Sequence, residues 1–456
     1  MMSSKILAFV FVIFLFGSLH GCGGTNDNEL LQQGIAHVVH DNTGMITAWN
    51  IEPNLGTMSA MPASPINGAT LFTQSTPSVS AKLTLPDGRL LLCEGLSSTI
   101  RAFDVNETTG ALTIAGGETA IPGVALNPMH LNSVDNVVFV FGREGVMTTG
   151  NSFTTLLYDG DTGALTNAPG TPYAPNQTRY LPDAVLVEGR NVYLITQTNT
   201  TSNLFVEHHS VNTDTGVVTF QGSVDLGTRV GGVAGNGDPE GRSLLRSGNY
   251  LLAYVGGLGS PQTQHPVASL LETDETGALT LLDTEDDVSG NVWGTWGGAV
   301  VIGGRFYFGV SETMTNDSQI FCYEVSATNQ LELVTGFPMV VPGGDDELVI
   351  EGSFDNFLYF HIGDGADMEL RSAAIDVDTG ALTFLPQSHL HGGRGMVPST
   401  VVRQGKLLIM GMSGESRMHV FLIDKTSGAI SLVSEYTAAD GVSLGLRHLP
   451  EIRLTN

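Results

Sequence analysis

Positive charge is scarce in this chain. It carries 19 Lys and Arg against 46 Asp and Glu, a formal net charge of −27, and charged residues of all kinds make up only 14% of it. Nucleic-acid binding leans on Lys and Arg contacts to phosphate, so that class of partner is excluded. An anionic membrane surface is excluded as a docking face on the same ground. The acidity suits solubility in an exposed compartment. Cysteine is scarcer still: Cys22, Cys93 and Cys322, with no Cys-x-x-Cys pair. That removes zinc-binding spacing. Cys93 and Cys322 fall in apolar runs far apart in sequence and are read as buried free thiols. No Gly-x-Ser-x-Gly elbow, phosphate loop or dinucleotide fingerprint signals a nucleophile or cofactor site, and none is expected. Asp159-Gly160-Asp161 and Asp376-Val377-Asp378 suggest calcium loops, but positions 170 and 387 are Gly and Gln where a bidentate Glu is needed. These are read as hairpin turns. Adjacent His208 and His209 point to opposite faces of a strand and cannot share a metal, so no metal site is expected.

Long apolar runs are missing as well. The segment from Ile6 to Phe16 is too short to span a bilayer. It follows Lys5 and leads into Gly17-Ser18-Leu19-His20-Gly21-Cys22, the layout of an export signal. Leu-x-Gly-Cys resembles a bacterial lipobox, in which Cys22 becomes the lipidated first residue. Three regions are therefore expected: residues 1–21 as signal peptide, 22–34 as lipidated Cys and tether, and 35–456 as the folded domain. The expected location is the cell envelope, periplasmic or surface-exposed, with the membrane reached through the lipid. Gly rather than Asp at position 23 favours the outer membrane, by analogy with enterobacterial sorting.

What is present in quantity is a repeat. Asp161-Thr162-Gly163-Ala164-Leu165-Thr166 returns as Asp214-Thr215-Gly216-Val217-Val218-Thr219, as Glu275-Thr276-Gly277-Ala278-Leu279-Thr280 and as Asp378-Thr379-Gly380-Ala381-Leu382-Thr383. Looser copies centre on Gly110 and Gly428, and degenerate ones on Gly56 and Asn329. The anchors recur about every fifty residues, the period of a solenoid or propeller. Apolar runs flank each anchor, as in Thr155-Leu156-Leu157-Tyr158-Asp159, and read as a hairpin whose Gly supplies positive φ and whose Asp bonds its own backbone. Between anchors lies a second pair of runs, such as Ala81–Leu85 and Arg89–Cys93 about Pro86-Asp87-Gly88. Each unit is thus four short antiparallel strands. The fold class is all-β: a single β-propeller of eight four-stranded blades, or seven if one degenerate copy is not a full blade. The N-terminal copy begins late and the C-terminal copy stops early. One blade is therefore expected to join the strand near Val38 to the strand near Leu444 and close the ring.

The Asp-x-x-Thr-Gly-x-Leu hairpins, Leu85-Pro86-Asp87-Gly88-Arg89-Leu90-Leu91-Leu92 and Leu446-Arg447-His448-Leu449 resemble lactonase-type propellers, the group of 6-phosphogluconolactonase-like and YVTN-repeat surface proteins. The resemblance covers nearly the whole mature chain. It implies the fold strongly and the activity weakly.

A propeller binds ligands at the mouth of its central channel, so residues entering the innermost strands are the candidates. They are His130, Arg179 with Asp183, Asp238 and Glu240, Trp293 and Trp296, Asp345, Asp346 and Glu347, His391 and Arg394, and Arg447 with His448. Of these, His130, Glu347, Arg394, Arg447 and His448 carry the types that lactone hydrolysis needs, a water-activating base beside an oxyanion-stabilising cation. Arg179, Trp293, Trp296 and Asp346 are expected to line the ligand. Two readings remain open: an envelope-anchored binding scaffold, monomeric, for a small molecule or protein, which is preferred, and a lactonase-like hydrolase of an unphosphorylated lactone. Export and acidity both argue against a phosphorylated substrate.

Overall fold

Short apolar runs punctuated by Gly, Asp and Asn bury themselves best as strands that pair with their sequence neighbours. A computed structural model bears this out. It describes residues 34–40, 45–52, 57–67, 70–72, 79–94, 98–122, 128–142, 152–174, 179–197, 203–228, 242–255, 267–285, 298–311, 318–343, 348–363, 369–390, 398–404, 407–412, 417–437 and 451–454. Among these residues the strands form eight antiparallel sheets, each a meander of four, and the molecule is an eight-bladed propeller.

Seven blades are built from consecutive strands. Their first strands are Val79–Thr84, Pro128–Val134, Arg179–Glu188, Arg242–Ser247, Ala299–Ile302, Leu348–Phe354 and Pro398–Gln404, opening blades two to eight. Blade one is composite. Glu451–Leu454 supplies its first strand, and Gly34–His40, Met45–Ile51 and Met58–Ala60 the other three. Gly34 pairs with Leu454 and His37 with Glu451. The termini do close the ring in one blade, through a strand several residues beyond Leu444; residues 438–450 lie outside the described set. Four strands per blade proves incomplete in three places. Ile66–Asn67, Thr119–Ala120 and Met339–Val340 pair back onto the third strand of blades one, two and six. A split outer edge of this kind presents a poorer template for stray pairing.

The core is divided among the wedges between blades. Each of the eight interfaces holds its own apolar cluster, from Ile46, Leu90 and Phe103 between blades one and two to Met418, Val420 and Ala36 between eight and one. That last cluster, with Trp49 and Tyr436 at a ring separation of 4.9 Å, is the packing that completes the circle.

The anchor turns link the wedges. Gly163 has φ 74° and Gly216 φ 68°, and Asn329 takes φ 61° in the degenerate copy. The side chain that caps the turn lies two residues ahead of the expected one. Asp159 Oδ1 accepts from the amides of Asp161 and Thr162, Asn212 from Asp214 and Thr215, and Asp376 from Asp378 and Thr379. The chain reverses there through Asp159, so its carboxylate reaches the free amides of the turn. This also accounts for the Asp-x-Asp runs without calcium. Each anchor then presses against the blade before it. A Cβ on Gly163 would sit 2.6 Å from Ala115 Cβ, and one on Gly216 2.6 Å from Ala168 Cβ. The Gly carbonyls accept bonds from that neighbour: Thr155 to Gly216, Tyr193 to Gly277, Tyr307 to Gly380 and Ser372 to Gly428.

Candidate functional site

Strand direction separates the two ends of the ring. Within a blade the first strand runs toward the hairpin it makes with the second, and the third runs toward the anchor turn. Both hairpins therefore lie at one end. At the other end, first strands begin, and each blade joins the next.

Of the residues nominated from sequence, the backbones of His130, Arg179 and Asp183 are described, each within a first strand. His130 lies in the first strand of blade three, its backbone opposite Phe141. Arg179 opens the first strand of blade four, opposite Gln197. The side chains of both, and that of Asp183, lie outside the described set. Asp238, Glu240, Trp293, Trp296, Asp345, Asp346, Glu347, His391, Arg394, Arg447 and His448 lie outside the described residues altogether, as does Cys22. In sequence, 344–347, 391–397 and 438–450 lead into three first strands that stand side by side in the ring, those of blades seven, eight and one.

That sector contains a titratable pair the sequence reading missed. Glu351 occupies the first strand of blade seven, where the register to the second strand slips between Ile350 and Gly352. A bulge re-aims a side chain by adding a residue to one strand. Here it turns Glu351 along the sheet face toward His361 on the second strand, and Glu351 Oε1 meets His361 Nδ1 at 2.7 Å. The His361 side chain is fully buried, while that of Glu351 keeps 18% of its surface. The face is set by parity. Ile350, Leu358 and Phe360 pack against blade six, whereas Tyr359 joins Phe421 and Leu408 of blade eight. His361 shares the parity of Tyr359, so the pair lies in the wedge between blades seven and eight. Glu351 is on the first strand of its blade, and its side chain keeps partial access to solvent. The wedge holds further imidazoles toward its rim. His389 Nε2 donates to the Ile430 carbonyl at 2.6 Å, and His419 lies 3.3 Å from Glu435.

Only a weak sequence signal could have found this pair: His361 ends the apolar run Phe357-Leu358-Tyr359-Phe360, and Glu351-Gly352 interrupts the alternation of the strand before it. A second carboxylate–imidazole pair, Glu207 with His209 at 3.1 Å, is sealed in the wedge between blades three and four, with Thr196 donating to Glu207. His208 turns to the opposite face, stacks on Tyr193 and bonds Asn191, as expected of neighbouring strand positions. Burial pushes the His208 imidazole below its usual range, with the neighbouring His209 adding to the effect.

Several arginines have structural duties. Arg89 joins Asp104 and Tyr158, and Arg305 joins Glu324 and the carbonyls of Val377 and Asp378, each clamping the next blade's anchor turn. Arg101 and Arg371 grip Glu118 and Glu369 together with the Leu71 and Pro342 carbonyls. The shallow hairpin-end depression beside Tyr250 and Arg305 belongs to these clamps.

No family model and no curated protein matches the sequence. The fold does match solved structures. A 6-phosphogluconolactonase candidate from Bacteroides fragilis superposes with TM-score 0.51 at 12% identity, over 94% of this chain and 100% of that one. The periplasmic gluconolactonase PpgL of Pseudomonas aeruginosa gives 0.51 at 16% identity, over 92% and 98%. In fold, the chain is similar to lactonase-type propellers. A dihydro-heme d1 dehydrogenase, NirN, in complex with DHE, gives 0.50 at 13% identity, over 90% of this chain and 76% of that one. The ring thus serves unlike chemistries, and activity has to be argued from the site.

Proposed function

We propose that this protein is a lactone hydrolase of the cell envelope, acting at the mouth of the central channel on an unphosphorylated lactone. The supporting observation is the end-to-end likeness to the two lactonase-type propellers, which leaves almost no part of either of those chains unmatched. It tips the balance from the scaffold reading preferred on sequence to the hydrolase reading. A formal charge of −27 disfavours approach of a phosphorylated substrate. The location rests on the export signal and Cys22, and is in keeping with the periplasmic placement of one neighbour. The chain would be held at the outer membrane by lipid on Cys22.

The test is ring opening by the full chain in mild detergent. Acid release would be followed with a panel of neutral aldonolactones and their phosphorylated counterparts. A neutral lactone should be opened well above the buffer rate and at least ten-fold faster than its phosphorylated counterpart. No acceleration for any lactone would return the protein to the scaffold reading. One feature favours that alternative: Ile114, Phe220, Leu281, Leu333 and Leu432, on five outermost strands, are 37–45% exposed, an apolar rim a partner protein could cover.

A further inference from the structure

We infer that Glu351 is the general base of lactone opening, and that His361 is the positioning residue that holds it. The assignment rests on the hydrolase reading above. Three observations carry it. Glu351 is on an inner strand, and a bulge breaks the pairing at that residue. Its carboxylate keeps access to solvent, while the imidazole bonded to it at 2.7 Å keeps none. The comparable pair Glu207 and His209 is shut away, at 0% and 3% side-chain exposure, and no substrate could reach it. In Glu351–His361 only the carboxylate can meet a water molecule and only the imidazole is fixed by packing. That division separates a proton acceptor from the group that aims it.

The reaction balances with water alone. A water molecule bonded to the Glu351 carboxylate gives it one proton as the water oxygen bonds to the lactone carbonyl carbon. The tetrahedral adduct collapses, and the bond from that carbon to the ring oxygen breaks. Glu351 returns its proton to the departing alkoxide, which becomes a hydroxyl, and the new carboxylic acid ionises into solvent. Nothing is oxidised or reduced. His361 touches neither water nor lactone. Its role is to engage the Oε1 carboxylate oxygen from Nδ1, leaving Oε2 to take the proton.

The test uses the full chain in mild detergent with whichever neutral lactone of the panel is opened fastest. Glu351→Gln should lower kcat at least about 100-fold, the lower range for loss of a general base, with KM within about three-fold of wild type. His361→Leu should lower kcat about ten-fold at unchanged KM. His361→Gln, which keeps an N–H donor, should recover part of that loss; a role in packing alone would favour Leu over Gln. Thermal melting by circular dichroism checks folding. Should Glu351→Gln fail to fold, Glu351→Asp decides: the shortened carboxylate should cut kcat, and full kcat would overturn the assignment. An active wild type beside an equally active Glu351→Gln would also overturn it while leaving lactone hydrolysis standing. A wild-type chain that opens no lactone overturns both.

Discussion

At Gly163 two constraints meet on one residue. Its φ of 74° is one that β-branched side chains avoid, and an added Cβ would come within 2.6 Å of Ala115 Cβ in the preceding blade. Gly163→Val should therefore destabilise the protein by about 1–3 kcal/mol, read as a fall in the urea midpoint. An unchanged midpoint would mean the turn relaxes without cost. The residue that starts the turn gives a second expectation. Hydrogen bonds hold the carboxylates of Asp159, Asp274 and Asp376 below their ordinary value of 3.8, the hydroxyls of Thr162 and Thr276 leading for the first two and the Thr379 amide for the third. A carboxylate depressed in the folded state stabilises it fully above the unfolded value, and that contribution is lost as pH falls through the folded one. The urea midpoint should thus drop as pH is lowered below about 3.8. Asn106 and Asn212 make the same turn without a charge, at 2.9–3.1 Å. A variant with Asn at all three Asp positions should fold, and its midpoint should fall less steeply. A slope equal to wild type would show that other groups dominate acid unfolding.

Between elements, the recurrent bond is the one from a side chain of one blade to the anchor carbonyl of the next. Tyr307 donates to Gly380 at 3.0 Å and Thr155 to Gly216 at 2.7 Å, both buried. Tyr307→Phe strips a buried carbonyl of that donor and should cost about 1–3 kcal/mol. Thr155→Val should act in the same direction, and the two should add, because they belong to different wedges. Chemical unfolding of the single and double variants tests both claims. These bonds show where sequence reading reaches its limit. The acceptor glycines are visible because one residue type repeats at one spacing, and that repeat yields eight blades and the closed ring. The donors Tyr193 and Tyr307 stand on second strands, Thr155 and Ser372 on third strands, so no single residue type at one spacing exposes all four. Glu351 and His361 are hidden for a related reason. They lie on different strands and meet through a one-residue slip in register that composition does not announce. The channel-mouth candidates cluster at or before the start of each inner strand, and in blade seven they stop at Glu347, ahead of the strand Leu348–Phe354. Glu351 is within it.

On the scale of the whole molecule, the direction of one strand sets the end at which the chain enters the ring. Gly34–His40 is the second strand of blade one, and its first residue pairs with Leu454, the last residue of the strand beside it. The chain therefore enters the ring at the hairpin end, away from the end where inner strands begin. From Cys22 to Gly34 is twelve residues, a covalent reach of at most about 40 Å. A strand of seven residues gives the ring a depth of roughly 23 Å. Under the proposed lipid anchor, the hairpin end is held nearest the bilayer and the channel mouth opens away from it, toward arriving substrate. Asp161, exposed in the anchor turn of blade three, marks the near end. Val340, 53% exposed and paired with Gln319 close to the start of a third strand, marks the far end. Fluorophores on Asp161→Cys and on Val340→Cys should report this in proteoliposomes carrying an acceptor lipid, because Cys93 and Cys322 are buried, the Cys322 thiol being pushed up to about 12 by desolvation, and stay unlabelled. Energy transfer should be stronger from position 161. Equal transfer, or stronger transfer from 340, would overturn the orientation. Adding Cys22→Ser should send both labelled proteins to the soluble fraction; if they remain on the vesicles, the anchor itself is wrong and the orientation falls with it.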